Sequence, residues 1–176
     1  VDNEDEGFKV ERERQQSVLK RLFNIQGDDE EEYTPFSPWR APDNWRKTIN
    51  SIFYGDFVHS AHFVRSGNGD KKVVWETELE RAGQYEVYAY AENLPFRGRG
   101  GPGGPGGEPG RRGGDFIKSF HYTVHHDDGA EEVEWDPQSA QGWNYLGIFH
   151  FSGVARVELS NRSDGRMVIA DAIKWV

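Results

Sequence analysis

The sequence predicts an all-β protein, an antiparallel jelly-roll-like β-sandwich carrying a short N-terminal helix and an extended arm. Three observations point there. Aromatic residues make up 14% of a chain whose hydrophobic content is only 35%, a composition in which large rings fill the space between sheets. From about residue 70 onward, apolar and polar residues alternate with period two. The alternating segments are joined by short turns, with no strand–helix–strand rhythm.

The chain divides at about residue 50. Residues 1–49 read as an acidic tail, a helix and a Pro/aromatic arm, and residues 50–176 as the sandwich. Residues 1–32 hold eleven acids against five Lys/Arg, which accounts for -6 of the net charge of -9. The first seven residues are expected to be mobile. Over residues 8–25, Val18, Leu22 and Ile25, with Leu19 and Phe23 beside them, fall at helical spacing among helix-favouring Glu, Arg, Lys and Gln, and Gly27 ends the run. That stripe either packs on its own domain or docks on a partner. Residues 33–45 carry three prolines and four aromatics. Proline prevents a regular ladder, so this arm is expected to lie extended along the sandwich with its rings tucked in. Val18, Leu22, Phe23, Phe36 and Trp39 are its candidate partner-docking residues.

Strands are expected from near Ile52. Val73, Trp75, Thr77 and Leu79 alternate with Val74, Glu76 and Glu78 as a half-buried strand. Arg81-Ala82-Gly83 turns the chain. Tyr85, Val87, Ala89 and Ala91 then alternate with Glu86, Tyr88 and Tyr90, so rings occupy the second face as well. Residues 97–115 hold ten of the 21 glycines and four arginines. Such a stretch buries too little to offset its ordering entropy and reads as a loop insertion. Phe120, Tyr122 and Val124 oppose His121, Thr123 and His125, Asp127-Asp128-Gly129 is a hairpin turn, and Val133 and Trp135 follow. Later strands run near 144–151, 154–160 and 167–175, for seven or eight in all.

From about residue 50 the order of motifs resembles the golvesin C-terminal-like domain, a module also attached to xanthan lyase-like and other secreted bacterial proteins. The residues that carry the resemblance begin with Phe53-Tyr54-Gly55-Asp56-Phe57 and Ala82-Gly83-Gln84-Tyr85. Tyr122-Thr123-Val124-His125-His126-Asp127-Asp128-Gly129 and Gly142-Trp143-Asn144-Tyr145-Leu146-Gly147 follow. The motifs close with Phe149-His150-Phe151, Val157-Glu158-Leu159-Ser160-Asn161 and Val168-Ile169-Ala170-Asp171-Ala172-Ile173. The resemblance spans roughly two-thirds of the chain. It implies a jelly-roll-like accessory module of a secreted or cell-surface protein, with no catalytic residues to carry over. The chain departs from the pattern in its Gly/Pro/Arg tract and at Trp135-Asp136-Pro137-Gln138, which adds a ring and a proline.

Composition and motifs exclude several functions. An acidic chain lacks the basic footprint that nucleic acid requires, no apolar run reaches membrane-spanning length, and no nucleophile elbow, P-loop or dinucleotide fingerprint occurs. His121 and His125 share a strand face but lie roughly 13 Å apart along it, too far to ligate one zinc. No enzyme activity, cofactor or metal is therefore expected. Asp171 has two readings, a buried acceptor that holds a turn or a ligand of a structural calcium ion.

The candidate ligand-binding set is Trp135, Asp136, Gln138, Trp143, Asn144 and Tyr145, where rings could stack on sugar faces and polar side chains could pair with hydroxyls. Trp143 has a competing reading as a core residue that plugs one end of the sandwich. The expected partner is a polysaccharide or a neighbouring protein domain. Homo-assembly through the arm and the sandwich edges is the structural alternative.

Overall fold

A computed structural model describes residues 1–11, 33–37, 39–92, 116–137 and 140–176. Among these are eleven strands: β1 (Phe8–Val10), β2 (Arg46–Ile49), β3 (Ser60–Arg65), β4 (Lys72–Glu78), β5 (Gly83–Tyr90), β6 (Phe120–His126), β7 (Gly129–Trp135), β8 (Trp143–Phe151), β9 (Val154–Ser160), β10 (Met167–Ala170) and β11 (Ile173–Trp175). The expected sandwich is present. One sheet has the order β1-β4-β9-β6-β7, and the other layer is made of β10-β3-β2 and β11-β5-β8. All the strand pairs within these sheets are antiparallel.

The alternation read from the sequence places the core. Val73 and Trp75 of β4, Val87 and Ala89 of β5, and Phe120, Tyr122 and Val124 of β6 are all buried. Val157 and Leu159 of β9 face them from the same core cluster, as do Phe63 and Val64 of β3. The Asp127–Asp128 turn closes the β6–β7 hairpin, with His126 opposite Gly129. Gly129 has φ +134, a conformation that side chains with a Cβ rarely adopt.

Several expectations are corrected. Strand structure starts before Ile52, because β1 and β2 precede it. Residues 8–10 are strand rather than helix. Phe8 puts its ring 4.8 Å from that of His62 and 5.5 Å from that of Trp75, and its backbone pairs with the edge of β4. Tertiary pairing here overrides local propensity. The rest of the expected helix, including Val18, Leu22 and Phe23, lies outside the described residues, as does the 97–115 loop.

Residues 1–7 form a turn docked on the sandwich. Asp5 N–H donates to the Asp2 carbonyl at 3.1 Å and Phe8 N–H to that of Asp5 at 3.0 Å. Lys47 pairs with Glu4 at 2.6 Å, and Glu4 also accepts a hydrogen bond from Ser60. Matched charge turns an acidic segment into a packed one.

The last expected strand is split. β10 pairs with β3 and β11 with β5, so the chain changes neighbour at Asp171–Ala172 and joins the two three-stranded sheets. In the arm, Phe36 and Trp45 are tucked in as expected, and Phe36 stacks on Phe53 and Phe63 at 5.5 and 5.4 Å. Phe36, a candidate docking residue, therefore packs within its own chain. Trp39 remains 67% exposed, with its ring edge-on to Phe116 at 4.6 Å and the Arg166 guanidinium 5.7 Å from it.

Candidate functional site

The register of β5, β8 and β11 decides which rings face outward. Val87 and Ala89 point into the core, so Tyr88 and Tyr90 point away from it. Opposite them stand Tyr145 and Trp143 of β8, and Lys174 of β11 stands opposite Tyr88 on the other side. The rings touch in sequence. Trp143 lies 5.3 Å from Tyr90 and 5.0 Å from Tyr54, Tyr54 lies 5.3 Å from Tyr90, and Tyr88 lies 5.5 Å from Tyr145. Lys174 bridges the two groups, with its Nζ 4.7 Å from the centre of the Trp143 ring and 4.9 Å from that of Tyr88. Such edge-to-face and cation–π contacts hold rings in place without burying them.

A bulge sets the extent of this face. The β5–β8 register shifts between Val87 and Tyr88, opposite Gly147 and Tyr145. Before it, Leu146 is the buried neighbour of outward Tyr145; after it, Phe149 and Phe151 are buried and Ile148 is exposed. The inward parity therefore changes at Gly147. Its φ is +154, and a Cβ there would lie 2.6 Å from the Phe149 ring, so glycine is required for the strand to present aromatics at one end and pack aromatics at the other.

Beside the rings is an open cleft of about 400 Å³, lined by Tyr54, Trp143, Lys174 and Trp175 together with Asp2, Asp5 and Asp56. Its size falls within the range of small-ligand clefts, roughly 300–1,000 Å³. The indole N–H of Trp175 is buried with no acceptor among the described residues. Tyr54 is positioned from below, where its backbone N–H donates to both oxygens of Asp171 at 3.3 and 3.1 Å. The Asp171 carbonyl accepts from the Trp75 indole at 3.1 Å. Asp171 is buried, and burial pushes its carboxyl up to about 8, against the opposing Tyr54 hydrogen bond. It accepts from Tyr54 at the 171–172 break.

The structure divides the expected ligand-binding set. Trp143 and Tyr145 are on the outward face, and Trp143 is half-buried there, so the end-plug reading gives way to an outer-face position. Asn144 points to the other side. Its amide donates to the carbonyls of Gly142, Ala91 and Ala89 at 2.6, 3.2 and 3.4 Å, and its oxygen accepts from Gln141 N–H at 3.3 Å, which fixes the loop before β8. Trp135 lies on β7 of the other sheet, half-buried with its ring 6.2 Å from Phe120. Asp136 is exposed, and Gln138 lies outside the described residues. Sequence reasoning did not assign Tyr54, Tyr88, Tyr90, Lys174 or Trp175 to a site. The signal for Tyr88 and Tyr90 was present in the rings on the polar face of β5.

His121 and His125, close in sequence, are separately engaged, as is His150 on β8. His121 Nδ1 lies 3.0 Å from Glu132, His125 Nε2 2.9 Å from Glu158, and His150 Nδ1 2.9 Å from Asp127.

Fold and surface together define an antiparallel β-sandwich module with a cleft-bordered aromatic face. Residues 113–176 match the family model of the Golvesin C-terminal domain, so the resemblance read from the motifs holds from β6 through β11. A xanthan lyase of Paenibacillus has the same fold over 100% of the chain, with TM-score 0.60 and 20% identity, although the chain spans only 12% of that enzyme's length. A Paenibacillus cycloisomaltooligosaccharide glucanotransferase, solved with cycloisomaltoheptaose, aligns over 82% of the chain and 18% of its own length, with TM-score 0.43 and 13% identity. No curated protein matches the chain.

Proposed function

We propose that the module binds glycan, without catalysing its breakdown, on the outer face of β11-β5-β8 and the adjoining cleft. One observation carries this reading: Tyr54, Tyr90, Trp143, Tyr88 and Tyr145 form an outward aromatic surface cross-braced by Lys174. Sugar rings present C–H faces that stack on such a platform, and carboxylates and amides beside it accept or donate to hydroxyls. The carbohydrate-active enzyme that shares the fold is compatible with an accessory role beside a catalytic domain, in a secreted or cell-surface protein. Among the described residues no helix is long and apolar enough to cross a membrane. Trp135, expected from the sequence to lead the site, is here assigned to packing against Phe120.

Native affinity gels containing neutral polysaccharides test the proposal. The wild-type chain is expected to be retarded, and Trp143→Ala and Tyr145→Ala each to reduce retardation at least tenfold in apparent affinity, in line with the 1–3 kcal/mol that a stacked aromatic supplies to a planar ligand. Tyr145 is 53% exposed, so its variant keeps the fold. Absence of retardation on every polysaccharide would leave the protein-partner reading in its place.

A further inference from the structure

We infer that the cleft selects by charge, accepting uncharged sugars and refusing uronates, an inference that rests on the glycan reading above. Asp2, Asp5 and Asp56 line it, and Lys174 is the one basic side chain among the described lining residues. That lysine is directed at the rings of Trp143 and Tyr88, 4.7 and 4.9 Å away, and the Val1 ammonium, also in the wall and acting on Asp2 and Asp5, donates to the Ile173 carbonyl at 2.8 Å, so three carboxylates outnumber two cations that are already engaged.

The aspartates are already crowded. Asp2 is pushed up to about 6, chiefly by burial, with Asp5 and Glu4 adding to it. Asp56 is exposed at the cleft's rim, two residues beyond Tyr54. A carboxylate can only accept hydrogen bonds. A neutral sugar brings hydroxyl donors to all three aspartates, and its ring can lie on Tyr54 and Trp143, which belong to both the cleft and the aromatic face. A uronate replaces a donor with a second acceptor and adds a like charge in a partly desolvated setting. Like-charge juxtaposition at a binding surface suppresses the wrong partner. At separations of roughly 6–8 Å and intermediate dielectric, a discrimination of about tenfold is expected.

The test uses affinity gels with mixed-linkage β-glucan and with galactomannan, each run beside the same polymer oxidised at C6 to the uronate. Tyr145→Ala has the same net charge as the wild type and sets the baseline for non-specific repulsion of an acidic protein. The expected result is binding to at least one neutral polymer and binding about tenfold weaker to its oxidised form at low salt. The gap should narrow as salt rises, and Asp56→Lys should close it, read as the ratio of the two polymers so that any loss of the hydroxyl contact common to both cancels. Equal or tighter binding of the oxidised polymer would overturn the charge selection and leave glycan binding standing. A discrimination that Asp56→Lys leaves intact would also overturn it, because the charge would then lie elsewhere. Binding to neither form would overturn the glycan reading itself.

Discussion

On the five-stranded sheet the outward positions satisfy one another. Glu158 is held by Lys72 at 2.9 Å, Arg156 at 2.7 Å and His125 at 2.9 Å, and Glu132 is contacted by both His121 and Arg162. On β11-β5-β8 the outward positions on the far side of the bulge are Trp143, Tyr145, Tyr88 and Tyr90 with Lys174, and Glu86 accepts from the Tyr88 hydroxyl. Both faces come from strands with the same inward pattern, so the hydrophobic alternation that sets the fold does not distinguish them. The difference lies in what each face has left to offer. The charged ladder has its hydrogen bonds and ion pairs made internally, whereas the aromatic face keeps ring surface exposed.

The same contrast recurs at two buried acids. Burial would raise the Glu158 carboxyl, but hydrogen bonds from Lys72 and Arg156 outweigh it and hold the group below the usual carboxylate range. Asp171, under the aromatic face, accepts from one backbone N–H, that of Tyr54, and burial pushes it up to about 8. Their linkage to stability therefore has opposite sign. The ionised Glu158 stabilises the fold above the unfolded value near 4.5 and loses that contribution as pH falls through its lower folded value. The fold instead favours neutral Asp171, while the unfolded chain ionises from 3.8 upward. Its contribution is complete at acid pH and is lost as pH rises toward 8.

The largest expected effect follows from breaking the charged ladder. Glu158→Ala leaves Lys72, Arg156 and His125 clustered without their common acceptor. Breaking a fully buried pair costs about 3–5 kcal/mol. Lys72 and Arg156 are partly solvated, with side-chain exposures of 41% and 34%, so about 2–3 kcal/mol is expected here. Urea unfolding at neutral pH measures it. A change under about 0.5 kcal/mol would make the ladder equivalent to an ordinary surface and remove the contrast between the faces.

Next in size is Asp171→Asn. Asparagine can still accept from Tyr54 N–H but does not ionise. The wild type is expected to lose stability at up to about 1.4 kcal/mol per pH unit within the window between roughly 4 and 8, the limit for one proton, and the variant is expected to lose that component of the slope. Thermal unfolding of both proteins at pH 5, 6, 7 and 8 reads it. Parallel curves would mean that Asp171 is ionised in the fold. The aromatic face would then rest on a charged acid as the ladder does.

Much of the sandwich was legible because period-two alternation depends on burial alone. Val73 and Trp75, Val87 and Ala89, and Phe120, Tyr122 and Val124 all fell on the face the pattern assigned. β1 was not legible, because Phe8–Val10 is a strand only by virtue of the β4 edge it completes, and a three-residue pairing leaves no period to read. The site was half legible. Trp143 and Tyr145 stood out as rings beside polar residues, but Trp135, two strands' worth of sequence register away in a different sheet, was equally prominent. Tyr54 and Lys174 reach the face only through the Asp171 bond and the β11–β5 register, both contacts between residues more than eighty apart. Asn144 illustrates the converse: an amide beside an aromatic suggests a ligand, yet its hydrogen bonds close on the loop that precedes it.

The smallest expected effect tests the comparison most directly. Tyr145 is exposed, and its described ring contact is with Tyr88, another outward ring. If the aromatic face exists for a ligand rather than for the fold, Tyr145→Ala should change unfolding stability by no more than about 0.5–1 kcal/mol, the scale of one cross-strand pair. The glycan affinity should fall at least tenfold in the same variant. Urea unfolding and affinity electrophoresis on one preparation separate the two quantities. A stability loss above about 2 kcal/mol would mean the ring is structural despite its exposure, and the outer face of β11-β5-β8 would then be as internally committed as the charged ladder on the other side.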